Sequence, residues 1–155
     1  MAEDGSFPEV RLRPIGVIRT PFRDPADTPI QPRRAQGVEG CVELFEQYRT
    51  GLQDLEGFER IWLLYWFHRA GEPRLLVVPF LDNRQHGVFA TRAPSRPNAI
   101  GMSCVRLLRI VGNVLHVADV DILDGTPLLD IKPYVPQFDC YEVARTGWLE
   151  ARISF

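Results

Sequence analysis

The sequence predicts an all-β or barrel-like fold with short helical turns, and three observations predict it. Apolar residues gather in many short runs of strand length, and Gly and Pro separate those runs. Almost no segment carries the 3.6-residue periodicity of an amphipathic helix. A length of 155 residues is enough for one domain with a real core, so the expected organisation is a tail over residues 1–9 and a barrel over residues 10–155.

Each element follows from local pattern. Residues 10–20 carry Leu12, Ile15, Val17 and Ile18, bent by Pro14 and Gly16, and read as an edge strand. Residues 21–37 are rich in Pro, Asp, Arg and Gln and form a long loop, which in a domain of this size is usually functional or disordered. Residues 41–45 read as a strand and 47–52 as a short helix. The run Ile61-Trp-Leu-Leu-Tyr-Trp-Phe67 is continuous and bounded by charges, which predicts a central strand covered on both sides. Strands are expected over 75–80, 88–91 and 102–111, with a turn at Asp82-Asn83-Arg84 and a tight hairpin at Gly112-Asn113. Residues 114–122 alternate. Val114, His116, Ala118, Val120 and Ile122 share one face; Leu115, Val117, Asp119 and Asp121 share the other. Residues 128–134 are extended, and 147–153 read as a last strand.

Composition narrows the function. The net charge is -2, so no global basic field draws in nucleic acid; RNA contact must come from local arginine clusters or from a surface built by more than one subunit. Lys132 is the only lysine, which reads as composition rather than function. Cys41, Cys104 and Cys140 are far apart and odd in number, which argues against a disulfide framework and fits a reducing cytoplasm. His68, His86 and His116 lie on separate segments without metal-ligand spacing, so no metal is expected. The N-terminal residues are acidic and do not read as a signal peptide, and the run 61–67 is too short to span a bilayer, so no membrane partner is expected.

Neither a Gly-x-Gly-x-x-Gly loop nor a Walker pattern occurs. Residues 122–130, ILDGTPLLD, resemble the Asp-x-Asp-Gly-Thr signature of the haloacid dehalogenase phosphatases. That chemistry needs a nucleophilic aspartate two residues before Asp124, and Ile122 stands there, so the reading is rejected. Two polar clusters remain: Arg92, Ser95, Arg96 and Asn98 in one; Asp121, Asp124, Thr126, Asp130, Lys132 and Tyr134 in the other. They are either salt-bridged turns, worth about 0–1 kcal/mol a pair at a surface, or a small polar ligand's site. An Arg for a carboxylate and an Asp for a ribose diol would suit an amino-acid nucleoside.

ATRAPSRPNAIGMS (90–103) and DVDILDGTPLLDIKPYVPQFD (119–139) resemble the TsaA-like, TrmO-type family. PIGVIRTPF (14–22), PIQ (29–31), DLEGFERIWLLYWFH (54–68) and GWLEARI (147–153) extend the resemblance over nearly the whole chain. It implies a homodimeric, cytoplasmic β-barrel that binds S-adenosylmethionine and methylates N6 of threonylcarbamoyladenosine next to the tRNA anticodon. It also implies a cofactor site of Pro29, Ile30, Gln31, His68, Arg69, Arg92, Met102, Asp121, Ile122, Leu123 and Asp124. Arg92 or Arg96 would take the methionine carboxylate, and Met102 and Phe89 would cover the adenine. Methyl transfer is an in-line displacement, so positioning should supply most of the rate; Asp124, His68 or Tyr134 would accept the proton lost from the target nitrogen. Arg33, Arg34, Arg96, Asn98 and Lys132 are the expected RNA contacts. The well-known bacterial members are longer and carry a C-terminal extension that helps handle tRNA, so cofactor binding transfers to this chain better than substrate identity. The other readings are a methyltransferase with a different acceptor, a module that binds the cofactor without catalysis, and a purely structural interaction domain. The aromatic run 62–67 belongs either to the core or to a dimer interface.

Overall fold

The computed structural model describes residues 7–30 and 32–153. Its strands are β1 (Gly16–Arg19), β2 (Glu39–Leu44), β3 (Arg60–Trp66), β4 (Leu76–Val77), β5 (His86–Gly87), β6 (Ile100–Val111), β7 (Val114–Ala118) and β8 (Thr126–Pro133). Six of them close into an antiparallel barrel in the order β1-β2-β7-β6-β3-β8, with β8 pairing back onto β1. Every barrel strand is therefore paired on both sides, which leaves no edge to aggregate. β4 and β5 form a separate two-stranded arm.

Period-2 alternation decides what fills the barrel. Ile61, Leu63 and Tyr65 of β3 point inward, as do Val105 of β6, Leu115 and Val117 of β7, and Leu128 of β8; all are buried. Burying an Ile or Leu side chain stabilises the fold by about 2 kcal/mol. The hairpin at Gly112-Asn113 forms as expected: Gly112 has φ 64°, a left-handed value that glycine adopts without strain, and it joins β6 to β7.

Several expectations are corrected. The strand expected over 10–20 is confined to Gly16–Arg19 and is not an edge, because closure places it between β2 and β8. β3 is central, but its outward face is covered only in part. Outward, Trp66, Leu64 and Trp62 stand opposite Ile100, Met102 and Cys104, and Trp66, Ile100 and Met102 remain 48%, 41% and 47% exposed. The strand expected over 75–80 shrinks to Leu76–Val77, and that over 88–91 is a 3-10 helix, Val88–Ala90. Residues 147–153 hold a 3-10 turn, Gly147–Leu149, instead of a strand. Trp148 pins that turn, donating from Nε1 to the Ala90 carbonyl at 2.8 Å and stacking on His86.

The most consequential correction lies after β7. Alternation stops at Asp119, whose φ of 63° is left-handed. Val120 and Ile122 are buried, and so are Asp119 and Asp121. Residues 119–122 thus sink into the barrel mouth instead of presenting one wet face. Of the expected N-terminal tail, residues 1–6 lie outside the described residues.

Candidate functional site

The site forms at the mouth of the barrel that receives the segment after β7. β3 carries Tyr65 and β6 carries Ser103 at inward positions. Tyr65 Oη lies 2.8 Å from Ser103 Oγ, and Ser103 Oγ donates to Asp121 Oδ1 at 2.6 Å. Serine has one hydroxyl proton, so with Asp121 ionised the Tyr65 hydroxyl donates to Ser103. Burial pushes the Asp121 carboxyl up to about 6, against the Ser103 hydrogen bond, a backbone hydrogen bond and the positive charge of Arg92. Burial and the Asp121 charge hold the Tyr65 hydroxyl above its ordinary range, so it keeps its proton at neutral pH.

Gly101 explains itself here. A Cβ at that position would lie 2.6 Å from Tyr65 Cζ and 2.8 Å from Phe67 Cζ. The glycine between Ile100 and Met102 is the surface on which the Tyr65 ring rests, edge-on to Phe67 at 5.4 Å.

The Asp121–Asp124 segment is clamped from the other side. Thr20 donates its backbone N–H to Asp124 Oδ1 at 3.0 Å and its hydroxyl to the Ile122 carbonyl at 2.7 Å. The Asp124 amide donates to the Phe22 carbonyl at 2.7 Å. Gly125, at φ 78°, turns the chain into β8, and Thr126 Oγ1 caps the Leu123 carbonyl. Asp119 ties down the far end of the 21–37 loop: its Oδ1 accepts from the Gly37 amide at 2.8 Å, and its Oδ2 meets Arg60 at 3.0 Å and Arg106 at 3.8 Å. The Gly37 amide, then Arg60 and Arg106, hold its carboxyl below the usual carboxylate range. Pro29 and Ile30 therefore sit on a loop tied at both ends to residues 119–124.

These contacts bring part of the predicted site together. Asp121, Ile122, Leu123 and Asp124 are one rigid segment, and Arg92 acts electrostatically on Asp121 and Tyr65. His68 and Arg69 follow β3 at the same mouth; the Phe67 amide donates to the Ala99 carbonyl, and Arg69 Nη1 reaches the Arg23 carbonyl at 3.4 Å. Gln31 and the side chain of Arg33 lie outside the described residues.

Other predicted residues fall elsewhere. Tyr134 is not with Asp124 and His68. The eight residues of β8 separate it from Asp124, about 25 Å at the rise of a strand. There it packs edge-on against Trp62, at 5.8 Å. Met102 points out of the barrel, opposite Leu64, away from Asp121. Arg96 ties its own loop: Nη1 donates to the carbonyls of Val88, Thr91 and Ala93 at 3.0, 2.8 and 3.2 Å. Lys132 pairs with Asp130 at 3.0 Å, Asn98 is exposed, and Arg34 lies over the Phe80 ring at 5.8 Å. The residues missed are Tyr65 and Ser103. Their signal was parity, since each is the polar member of an otherwise apolar inward face. Among the described residues, no group of three or more His, Cys, Asp or Glu is placed to hold a metal, and no helix is long and apolar enough to cross a membrane.

Comparison with known proteins agrees with this architecture. Residues 17–140 match the tRNA-methyltransferase O N-terminal domain. A Pyrococcus abyssi protein named "Probable S-adenosyl-L-methionine-binding protein" is 57% identical over 141 residues, covering 91% of this chain and 77% of the relative. The mouse tRNA (adenine(37)-N6)-methyltransferase is 36% identical over 133 residues, covering 81% of this chain and 31% of the mouse protein. The crystal structure of TrmO from Pseudomonas aeruginosa superposes with a TM-score of 0.77 at 39% identity, over 92% of this chain and 63% of that one. The chain thus spans under two thirds of the TrmO structure and about a third of the mouse protein.

Proposed function

The chain belongs to the tRNA-methyltransferase O family, and from that premise we propose that it is an S-adenosylmethionine-dependent methyltransferase acting on N6 of threonylcarbamoyladenosine beside the tRNA anticodon. The observation that carries the reading is the gathering of Asp121–Asp124, Arg92, His68 and Arg69 at one barrel mouth. A buried carboxylate and a nearby guanidinium fit the charged groups of an amino-acid nucleoside. S-adenosylmethionine supplies an electrophilic methyl group when bound. This chain's residues supply orientation: Thr20 and Ser103 hold the 121–124 segment, and the loop carrying Pro29 and Ile30 is tied at both ends to residues 119–124. Holding two reactants in line can be worth about 7–11 kcal/mol of barrier. His68 and Asp124 Oδ2 are the groups at this mouth suited to take the proton lost from the acceptor nitrogen.

A homodimer agrees with two features. The outer stripe of Trp66, Ile100, Met102 and Leu64 is apolar and partly exposed, as an interface core is. Met102 and Tyr134 also lie outside the mouth, so a second copy is needed if they are to join the site. Sedimentation at micromolar concentration tests this; a monomer would remove both residues from the site.

The test of the reaction is incubation with methyl-labelled S-adenosylmethionine and tRNA carrying the threonylcarbamoyl group, followed by nucleoside digestion and mass spectrometry. A new methylated threonylcarbamoyladenosine peak is expected. Methylation of another nucleoside, or of a small molecule alone, favours a different acceptor on the same fold.

A further inference from the structure

The chain has a net charge of -2, yet three distant segments build a cationic patch around one aromatic ring. Residues 78–85 join β4 to β5 and form the tip of the two-stranded arm. Phe80 stands on that tip, 76% exposed, with the Arg34 guanidinium over its ring at 5.8 Å. Phe80 also lines an open groove with Leu81, Asp82, Asn83, Arg84 and Arg152. The carboxylate of that groove is turned away from solvent. The Asp82 side chain is 4% exposed; its Oδ1 accepts from the Asn83 amide at 2.7 Å and from Arg152 Nη2 at 2.9 Å, and its Oδ2 meets His86 Nε2 at 2.8 Å. Arg34, Arg84 and Arg152 stay exposed. An approaching molecule therefore meets guanidinium groups and a phenyl ring on a tip already fixed by hydrogen bonds. Guanidinium groups match phosphates, and an exposed ring stacks a nucleobase. The patch also borders the barrel mouth. Arg34 belongs to the loop that carries Pro29 and Ile30, and His86 stacks on Trp148, which donates to the Ala90 carbonyl of the 88–96 loop.

We infer that the tip of the β4–β5 arm is a docking surface for single-stranded RNA, with an unpaired base stacked on Phe80 and backbone phosphates held by Arg34, Arg84 and Arg152. The identity of that RNA rests on the tRNA reading above: the nucleotides beside an anticodon lie in a loop, where bases are free to stack on a protein ring. Stacking and phosphate pairing are tolerant of sequence, so this surface holds the loop and leaves the choice of base to the mouth. Phe80→Leu keeps an apolar side chain and removes the aromatic face, whereas Phe80→Trp keeps it. The exposure of Phe80 makes either change mild for the fold.

The experiment is fluorescence anisotropy at several salt concentrations with the wild type, Phe80→Leu, Phe80→Trp and Arg84→Gln. Two labelled RNAs are compared: tRNA carrying the threonylcarbamoyl group, and a fully paired duplex with no free base. Phe80→Leu should weaken tRNA about tenfold, the value of one stacked base, and leave the duplex unchanged. Phe80→Trp should bind tRNA as the wild type does. Arg84→Gln should shallow the slope of log affinity against log salt by about 0.7, one phosphate contact on a single strand. Unchanged tRNA affinity in Phe80→Leu and Arg84→Gln would overturn the surface. So would equal losses for tRNA and duplex, because a ring that stacks a free base distinguishes them. Sedimentation of Phe80→Leu is run beside the titration; a change from the wild type would overturn the surface too, since the tip would then be a contact between copies. A wild type that binds no RNA overturns it outright. A wild type that binds tRNA through Phe80 and Arg84 but transfers no methyl group overturns the proposed reaction and leaves this surface standing.

Discussion

Ser103 Oγ donates to Asp121 Oδ1 across 2.6 Å, joining β6 to the segment that leaves β7. That bond sits in the barrel mouth, where burial raises the Asp121 carboxyl to about 6. The folded chain therefore keeps a proton that the unfolded chain has already lost. Between the ordinary carboxylate value and about 6, the folded state binds more protons, so this group's contribution to stability falls as pH rises. Above that window the buried charge costs about 3 kcal/mol. Asp121→Asn should raise the stability at neutral pH by about 1–3 kcal/mol, and the gain should vanish as pH falls below the window. Urea denaturation across the acid range checks both the sign and the window.

Asp119 should behave in the opposite sense. Its carboxyl is held low by the Gly37 amide, Arg60 and Arg106, so its contribution is present above the ordinary carboxylate value and is lost as pH falls through the lowered one. Asp119→Ala removes the anchor of the 21–37 loop and leaves Arg60 and Arg106 facing each other across strands. A loss of about 2–4 kcal/mol is expected. Asp119→Asn should cost less, because asparagine tolerates the left-handed backbone and still accepts from Gly37. Denaturation of the two variants side by side separates the backbone from the charge.

Gly101→Ala should destabilise the barrel by about 1–3 kcal/mol, the usual cost of overpacking. The new methyl group meets the Tyr65 ring and Phe67, and neither is the loose end of a flexible chain. Replacing Tyr65 with a smaller apolar residue in the same chain should recover part of that loss, which a double-mutant cycle measures.

His68→Ala and Asp124→Asn should lower single-turnover methyl transfer by about 10- to 100-fold if either takes the proton. Tyr134→Phe should leave the affinity for S-adenosylhomocysteine unchanged, because Tyr134 lies at the other end of β8. A loss of affinity in that variant would mean that Tyr134 of a second copy reaches the site.

Arg96→Ala should loosen residues 88–98, seen as faster amide exchange at Thr91 and Ala93, because three carbonyls lose their donor. The salt dependence of tRNA binding should not change in that variant. Arg34→Ala should shallow the slope of log affinity against log salt by about one unit if Arg34 contacts a phosphate. Titration at several salt concentrations distinguishes the two arginines.

Much of the fold was legible. The hairpin at Gly112-Asn113 and the runs that became β2, β3, β6 and β8 follow from period, turn chemistry and propensity, which act over a few residues. The failures have physical causes. Residues 88–91 and 147–153 look like strands by composition, yet pairing partners decide a strand, and each segment is held instead by a side chain: Arg96 in the first, Trp148 in the second. Asp119 broke the alternation of 114–122 because three donors converge on its carboxylate, and those donors come from distant parts of the chain. Tyr65 and Ser103 were hidden for the same reason, since a polar residue at an inward position announces itself only once the inward face is known.

By itself the sequence determined the class of fold, the short strands, the tight hairpin and the family, all of which reside in local pattern and in motifs such as RPNAIG and DGTPLLDIKPY. Only the tertiary structure decided which of those motifs meet. Barrel closure sums the registers of six strands and thereby sets Ser103 against Asp121, Gly101 beneath Tyr65, and Tyr134 at the far end of β8 from Asp124. A register is a relation between strands distant in sequence, and no pattern within one strand encodes it.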